Sequence, residues 1–350
     1  MSSRHDVPYG RYLRLDKILD AQDPPGPDGQ PRALGHHDEM LFIVIHQVYE
    51  LWFKQIKHEM THIRDLLAVD DVPEKDVPRI VKGLHRVCEI LEVGVKQISV
   101  IETMSALDFL AFRDQLGSAS GFQSYQFREV EIMAGLPDDQ RYEYAGDSFE
   151  RRFPPEQVAV FNELRAQPSL REALESWLDR TPIEDGFRDT YLDAFDAYVA
   201  TQKEMHASNP ELGDEDRARV AQRMDAYRDA CATFLEGEHG RRNAACLFIH
   251  AYKDEPLLHW PNRLLDGLLE FEEQLRLWRF RHARMVERMI GLRVGTGGSS
   301  GVQYLDATAG ERYRIFTPIL EARSFLIPRR MLADLQNPER YGFAQHTVSD

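Results

Sequence analysis

The stretch FEEQLRLWRFRHARMVERMI, residues 271–290, decides the fold. Its seam positions Phe271, Leu275, Trp278, His282, Met285 and Met289 step by four, three, four, three and four. That spacing keeps one side of an α-helix turned toward a neighbouring helix. A strand would need alternation at every second residue, which is absent. The helix is read from about Asn262 to Ile290, with His282 in the middle of its buried stripe.

Working outward, the same period recurs along most of the chain. Phe42, His46, Tyr49, Phe53 and Ile56 form a second seam, again with a histidine on it. At 76–104, Asp76 is placed to cap a helix with Pro78 in its first turn, and Ile80, Leu84, Val87, Leu91, Val95 and Ile98 make one stripe. Phe187, Tyr191, Phe195 and Tyr198 mark a helix at 185–207, and Val220, Met224, Tyr227, Cys231 and Phe234 another near 212–236. Nowhere do several alternating runs bounded by turns occur, so the expectation is an all-α fold: one helical-bundle domain over 1–350. The Pro- and Gly-rich DPPGPDGQPRALGHHDE at 23–39 leads into the first long helix, and the charged segment 137–156 reads as a surface excursion.

Lys and Arg total 43 against 58 Asp and Glu, a formal net charge of -15. Such a balance argues against a nucleic-acid or anionic-membrane surface, which needs a basic face. Cys88, Cys231 and Cys246 are an odd number with no paired spacing, pointing to a reducing compartment. The apolar run MLFIVIHQVYELWF at 40–53 is too short to span a bilayer and carries His46 and Glu50. A cytoplasmic protein is expected.

Four features carry candidate chemistry. A histidine on an apolar seam is ordinarily a core residue satisfied by one hydrogen bond; two on separate helices also fit a cofactor pocket between facing helices. Ser105 and Asp108 resemble a capping box that opens a helix through Leu116, on which Phe109, Arg113 and Leu116 share a face. An inward Arg113 needs an anion, either an internal carboxylate or a ligand's. GTGGSSG at 295–301 offers unhindered backbone N–H groups that suit a carboxylate, or is a plain linker; no helix is evident after it. HEMTH at 58–62 matches the HExxH zinc pattern, but lies among Lys54, Lys57, Glu59 and Arg64, as on a solvated face.

YGRYLRLDKILDAQ (9–22), HDEMLFIVIHQVYELWFKQIKHE (37–59), ETMSALDFLAFRDQLGSASGFQS (102–124) and LWRFRHARMVERMIGLRVGTGGSSGVQYL (277–305) together resemble the tryptophan 2,3-dioxygenase family, with its blocks in order. The resemblance covers most of 9–135 and 262–330; the segment 136–260 is less distinctive. It implies haem b bound between the long helices, with His282 as the iron's ligand and Ser120 and Gly121 lining the haem pocket. His46 would be the catalytic residue on the opposite side, accepting a hydrogen bond from the indole N–H. Phe42, Phe109 and Leu116 would enclose the indole, Arg113 would bind the carboxylate, and Thr296 the ammonium and carboxylate end. Tyr9 and Tyr12, in the N-terminal segment 1–36, would reach the pocket of a neighbouring subunit in a homotetramer.

The reaction so implied inserts both atoms of dioxygen at the indole 2,3 bond of L-tryptophan, giving N-formyl-L-kynurenine. The cofactor supplies the oxygen chemistry, and the protein orients the substrate. Two positions depart from the family pattern: Phe109 stands where some members carry tyrosine, and Asp306 is acidic where a basic or neutral residue is expected. Alternative expectations are a haem oxygenase acting on a substituted tryptophan, a non-catalytic haem or tryptophan sensor, and a zinc hydrolase using HEMTH.

Overall fold

The computed structural model describes residues 7–26, 28–117, 119–143, 148–291, 293 and 301–342. Helices follow one another as α1 (Tyr9–Tyr12), α2 (Leu15–Ile18), α3 (Glu39–Leu67), α4 (Val77–Ile101), α5 (Ala106–Arg113), α6 (Tyr125–Ala134) and α7 (Pro155–Arg165). They continue as α8 (Leu170–Arg180), α9 (Phe187–Ala207), α10 (Asp214–Glu236), α11 (Gly240–Ala251), α12 (His259–Ile290), α13 (Gly301–Thr308) and α14 (Thr317–Ser324). Extended pairing among the described residues amounts to one antiparallel bridge, Pro25 with Pro31. The all-α expectation holds.

The three longest helices organise the molecule: α4 lies between α3 and α12 and packs along both. The predicted stripe on α4 is the contact surface, with Ile80, Leu84, Val87, Leu91 and Ile98 all buried. They meet Phe53, Ile56, Met60 and Ile63 from α3 and Leu264, Leu268, Phe271 and Leu275 from α12 in one apolar core. The antiparallel pair α9 and α10 forms a neighbouring arm, and Cys88, Cys231 and Cys246 are all free and buried.

Four sequence expectations need correction. Asp76 precedes α4 but does not cap it; its carboxylate accepts from Arg79 Nη1 at 2.7 Å. The capping box of Ser105 and Asp108 is present, yet α5 ends at Arg113 and tightens into a 3-10 turn over Asp114–Leu116. A helix does follow the Gly/Ser segment, since α13 begins at Gly301. The segment 137–156 is not a simple surface excursion. Its Arg141 turns inward to Glu131 (2.6 Å), while Phe149 is buried against Phe153 and Phe161. Its charges read as solvated because their partners lie on distant elements.

Candidate active site

The site grows from the facing seams of α3 and α12. On α3, Phe42 packs against the His46 ring with centroids 4.2 Å apart. His46 Nδ1 lies 2.7 Å from the Phe42 carbonyl oxygen. A carbonyl can only accept, so Nδ1 carries the proton and the Nε2 lone pair is left as an acceptor. Burial pushes the His46 imidazole below its ordinary pKa, against the opposing effects of the Phe42 carbonyl and Glu50, which favours this neutral form.

On α12, Trp278 stacks on His282 with centroids 5.2 Å apart and planes 11° from parallel. Trp278 is held in turn by Tyr49, Phe53 and Phe127. Tyr49 is fixed by donating its hydroxyl hydrogen to the Gly94 carbonyl at 2.7 Å, and burial raises its pKa to about 12. His282 is enclosed by protein yet partly accessible, as a side chain lining an internal cleft is. Burial, and the repulsion it would meet from His46 if both rings were protonated, push its pKa down to about 4, so the imidazole is neutral at physiological pH. Neither ring nitrogen has a hydrogen-bond partner among the described residues. A core histidine is ordinarily held by a hydrogen bond, and His282 has none among the described residues; its ring nitrogens stay accessible and free to take a ligand.

The third wall is α5 with its 3-10 turn. Phe109 lies 5.8 Å from Phe42, and Phe112, fully buried, touches both at 5.7 Å and 5.5 Å. Leu116, Leu41 and Met285 close this cluster around Met104, Phe112 and Met289. Arg113 follows Phe112, is half-buried, and has no carboxylate partner among the described residues. The internal ion-pair reading of Arg113 is therefore not what forms. Sequence reading missed Phe112, although its spacing of three from Phe109 was a visible signal.

Ser120 caps the 3-10 turn Gly121–Gln123, and a Cβ built on Gly121 meets nothing within 4 Å, so that wall borders open space. Phe122 in this turn packs on Tyr304 of α13 at 5.2 Å, which brings the end of the Gly/Ser segment to the same side. Thr296 itself lies outside the described residues. Tyr9 and Tyr12 are not brought to this pocket; they are 76% and 77% exposed on the chain that bears them. Asp306, the acidic departure, pairs with Arg284, two residues beyond His282.

HEMTH does not assemble a metal site. Glu59 is buried and bound by Arg86 Nη1 and Gln55 Nε2, both at 2.7 Å, while His58 and His62 point into solvent. No group of three or more metal-ligating side chains occurs among the described residues. No described helix is long and apolar enough to cross a membrane.

Fold and site together define an all-helical protein with an aromatic cluster between its long helices, beside one histidine on α3 and one on α12. Comparison with known proteins narrows this. The chain belongs to the tryptophan 2,3-dioxygenase family, whose family model matches residues 1–326. It is 38% identical to a tryptophan 2,3-dioxygenase of Alteromonas mediterranea, the match covering 95% of each chain. It is 37% identical to that of Dictyostelium discoideum, over 95% of this chain and 87% of the relative. With the Xenopus laevis protein the figures are 36%, 98% and 87%.

Proposed function

We propose that this chain opens the indole ring of L-tryptophan with dioxygen to give N-formyl-L-kynurenine, using haem b ligated by His282. The observation that carries the reading is the nearness of two histidines from separate helices. One is neutral and without a protein partner; the other has its single proton committed to the backbone.

The residues fit a haem. His282 offers a free, neutral imidazole on a face held flat by Trp278, the donor that five-coordinate haem proteins use. The open space beside Gly121 suits the edge of a planar macrocycle. When bound, the haem supplies the iron centre at which dioxygen is activated.

The chain's own residues hold the substrate. His46 Nε2 accepts the indole N–H and fixes the orientation of the ring. Phe42, Phe109 and Leu116, which share one apolar cluster, enclose the ring. Arg113 binds the carboxylate through its planar guanidinium, and its lack of an internal partner supports this assignment. Thr296 is assigned to the ammonium and carboxylate end. Because the indole carbon itself is electron-rich, His46 orients rather than abstracts a proton. Tyr9 and Tyr12, exposed on their own chain, are assigned to the pocket of a neighbouring subunit in a homotetramer.

The test is an absorption spectrum of the reduced protein followed by product identification with L-tryptophan and dioxygen. A haem Soret band and N-formyl-L-kynurenine are expected. Zinc without haem, or a singly oxygenated product, would overturn the reading.

A further inference from the structure

Glu39 is the first residue of α3 and is completely shielded from solvent. It is covered rather than deeply sunk: the segment 32–36 folds back across it. Arg32 reaches both of its carboxylate oxygens, and Gly35 N–H donates to Oε2 at 2.7 Å. Arg32 also donates to the Ala33 carbonyl at 3.0 Å, and Glu39 N–H to the His36 carbonyl at 3.2 Å. These contacts hold the carboxyl below the usual range, the Arg32 hydrogen bond acting most strongly. An isolated loop-to-helix connection needs no such closure.

The closed segment touches the wall that carries Arg113. Gly35 is pressed against the amide end of Gln115, where a Cβ would fall 2.1 Å from Oε1 and force that side chain to move. Next to it, the His36 ring stacks on Phe112 at 6.1 Å. Phe112 is the buried ring that packs on both Phe42 and Phe109, and Gln115 is two residues from Arg113. The segment thus joins the start of the His46 helix to the turn that follows the arginine.

We infer that Arg32 and Glu39 form a positioning latch, setting where Arg113 sits relative to His46 and so selecting substrates that carry a carboxylate at the right distance from the indole. The inference rests on the reading of Arg113 as the carboxylate's partner. Neither latch residue touches substrate. Both act through Gly35, His36 and the wall beneath them. An arginine displaced by a fraction of an ångström loses bidentate geometry, whereas an apolar wall tolerates the same shift.

Calorimetric titration of the haem-loaded protein with L-tryptophan and with tryptamine, which lacks the carboxylate, tests this. Arg32→Gln alters the more accessible partner and keeps the buried one; Glu39→Gln keeps an acceptor for Gly35 N–H. Each is expected to weaken L-tryptophan about tenfold and tryptamine less than about twofold. In an Arg113→Ala background, Arg32→Gln should have no further effect, as coupled residues require. Equal weakening of both ligands, or additivity with Arg113→Ala, would overturn the latch and leave a merely structural ion pair. Unchanged L-tryptophan affinity in Arg113→Ala alone would instead remove the carboxylate assignment, and the latch with it.

Discussion

At the scale of single residues, two histidines of similar sequence setting are divided by their hydrogen bonds. Phe42 carbonyl oxygen accepts from His46 Nδ1, whereas His282 stacks on Trp278 and has no hydrogen-bond partner among the described residues. His282→Ala is expected to abolish the Soret band of purified protein while leaving the helical circular-dichroism signal intact. Full haem occupancy in that variant would remove the ligand assignment. His46→Ala should retain haem and weaken L-tryptophan binding by about 1 kcal/mol, the ordinary worth of one hydrogen bond. Loss of haem in that variant would argue against a substrate-facing role. The same geometry fixes a pH dependence. Burial lowers the His46 pKa below 6.5, and only the neutral ring accepts the indole N–H. Affinity for L-tryptophan should therefore stay level as pH falls through 6.5 and decline only below it, when Nε2 becomes a donor. A decline centred at or above 6.5 in a binding titration would show that His46 is not the acceptor.

At the scale of elements, the ion pairs that join helices decide what sequence patterning could and could not reveal. Glu131 on α6 is buried among Arg128, Arg141 and Arg279, which bring together the 137–156 segment and the helix of His282. Burial alone would raise its carboxyl, but the three guanidinium charges outweigh that and bring its pKa down to about 2. Replacing it by Gln leaves Arg128 and Arg279 without their anion, so Glu131→Gln should destabilise the fold by about 3–5 kcal/mol, read from denaturant midpoints. A change under about 1 kcal/mol would mean that water or another anion reaches the cluster. The apolar seams of α3, α4 and α12 were legible because a helix's period of 3.6 is written locally in sequence. His46, His282 and Arg113 were legible because each interrupts such a seam. The roles of Glu131, Arg32 and Glu39 were not, because a charge acquires meaning only from partners that folding brings to it. For the same reason the charged 137–156 segment looked solvated, and the acidic Asp306 looked out of place until Arg284 stood beside it. Phe112 was overlooked because the reading followed the face of Arg113 alone.

At the scale of the whole molecule, the N-terminal helices pose a question that one chain does not answer by itself. Tyr9, Tyr12 and Leu19 are exposed by 76%, 77% and 70%, a large apolar exposure for so short a segment. The segment is nevertheless tethered next to the site: Gln22 Nε2 donates to Gln47 Oε1, and Gln47 Nε2 donates to the Ala21 carbonyl, one residue from His46. A short arm anchored at one pocket, with its rings turned outward, is suited to serve a second copy. If Tyr9 and Tyr12 complete a neighbour's pocket, a chain with both replaced by Ala should keep haem and lose most tryptophan turnover. An Arg113→Ala chain should be defective for a different reason, in its own pocket. Co-expressed in equal amounts, the two should complement. Under random assembly about a quarter of pockets combine an intact Arg113 with an intact arm from a neighbour, so activity should recover to roughly that fraction of wild type. If the arm served its own chain, no pocket in any mixture would be whole, and activity would remain at the level of the separate variants. Size-exclusion chromatography with light scattering, run on the same samples, gives the oligomeric state in which that exchange takes place.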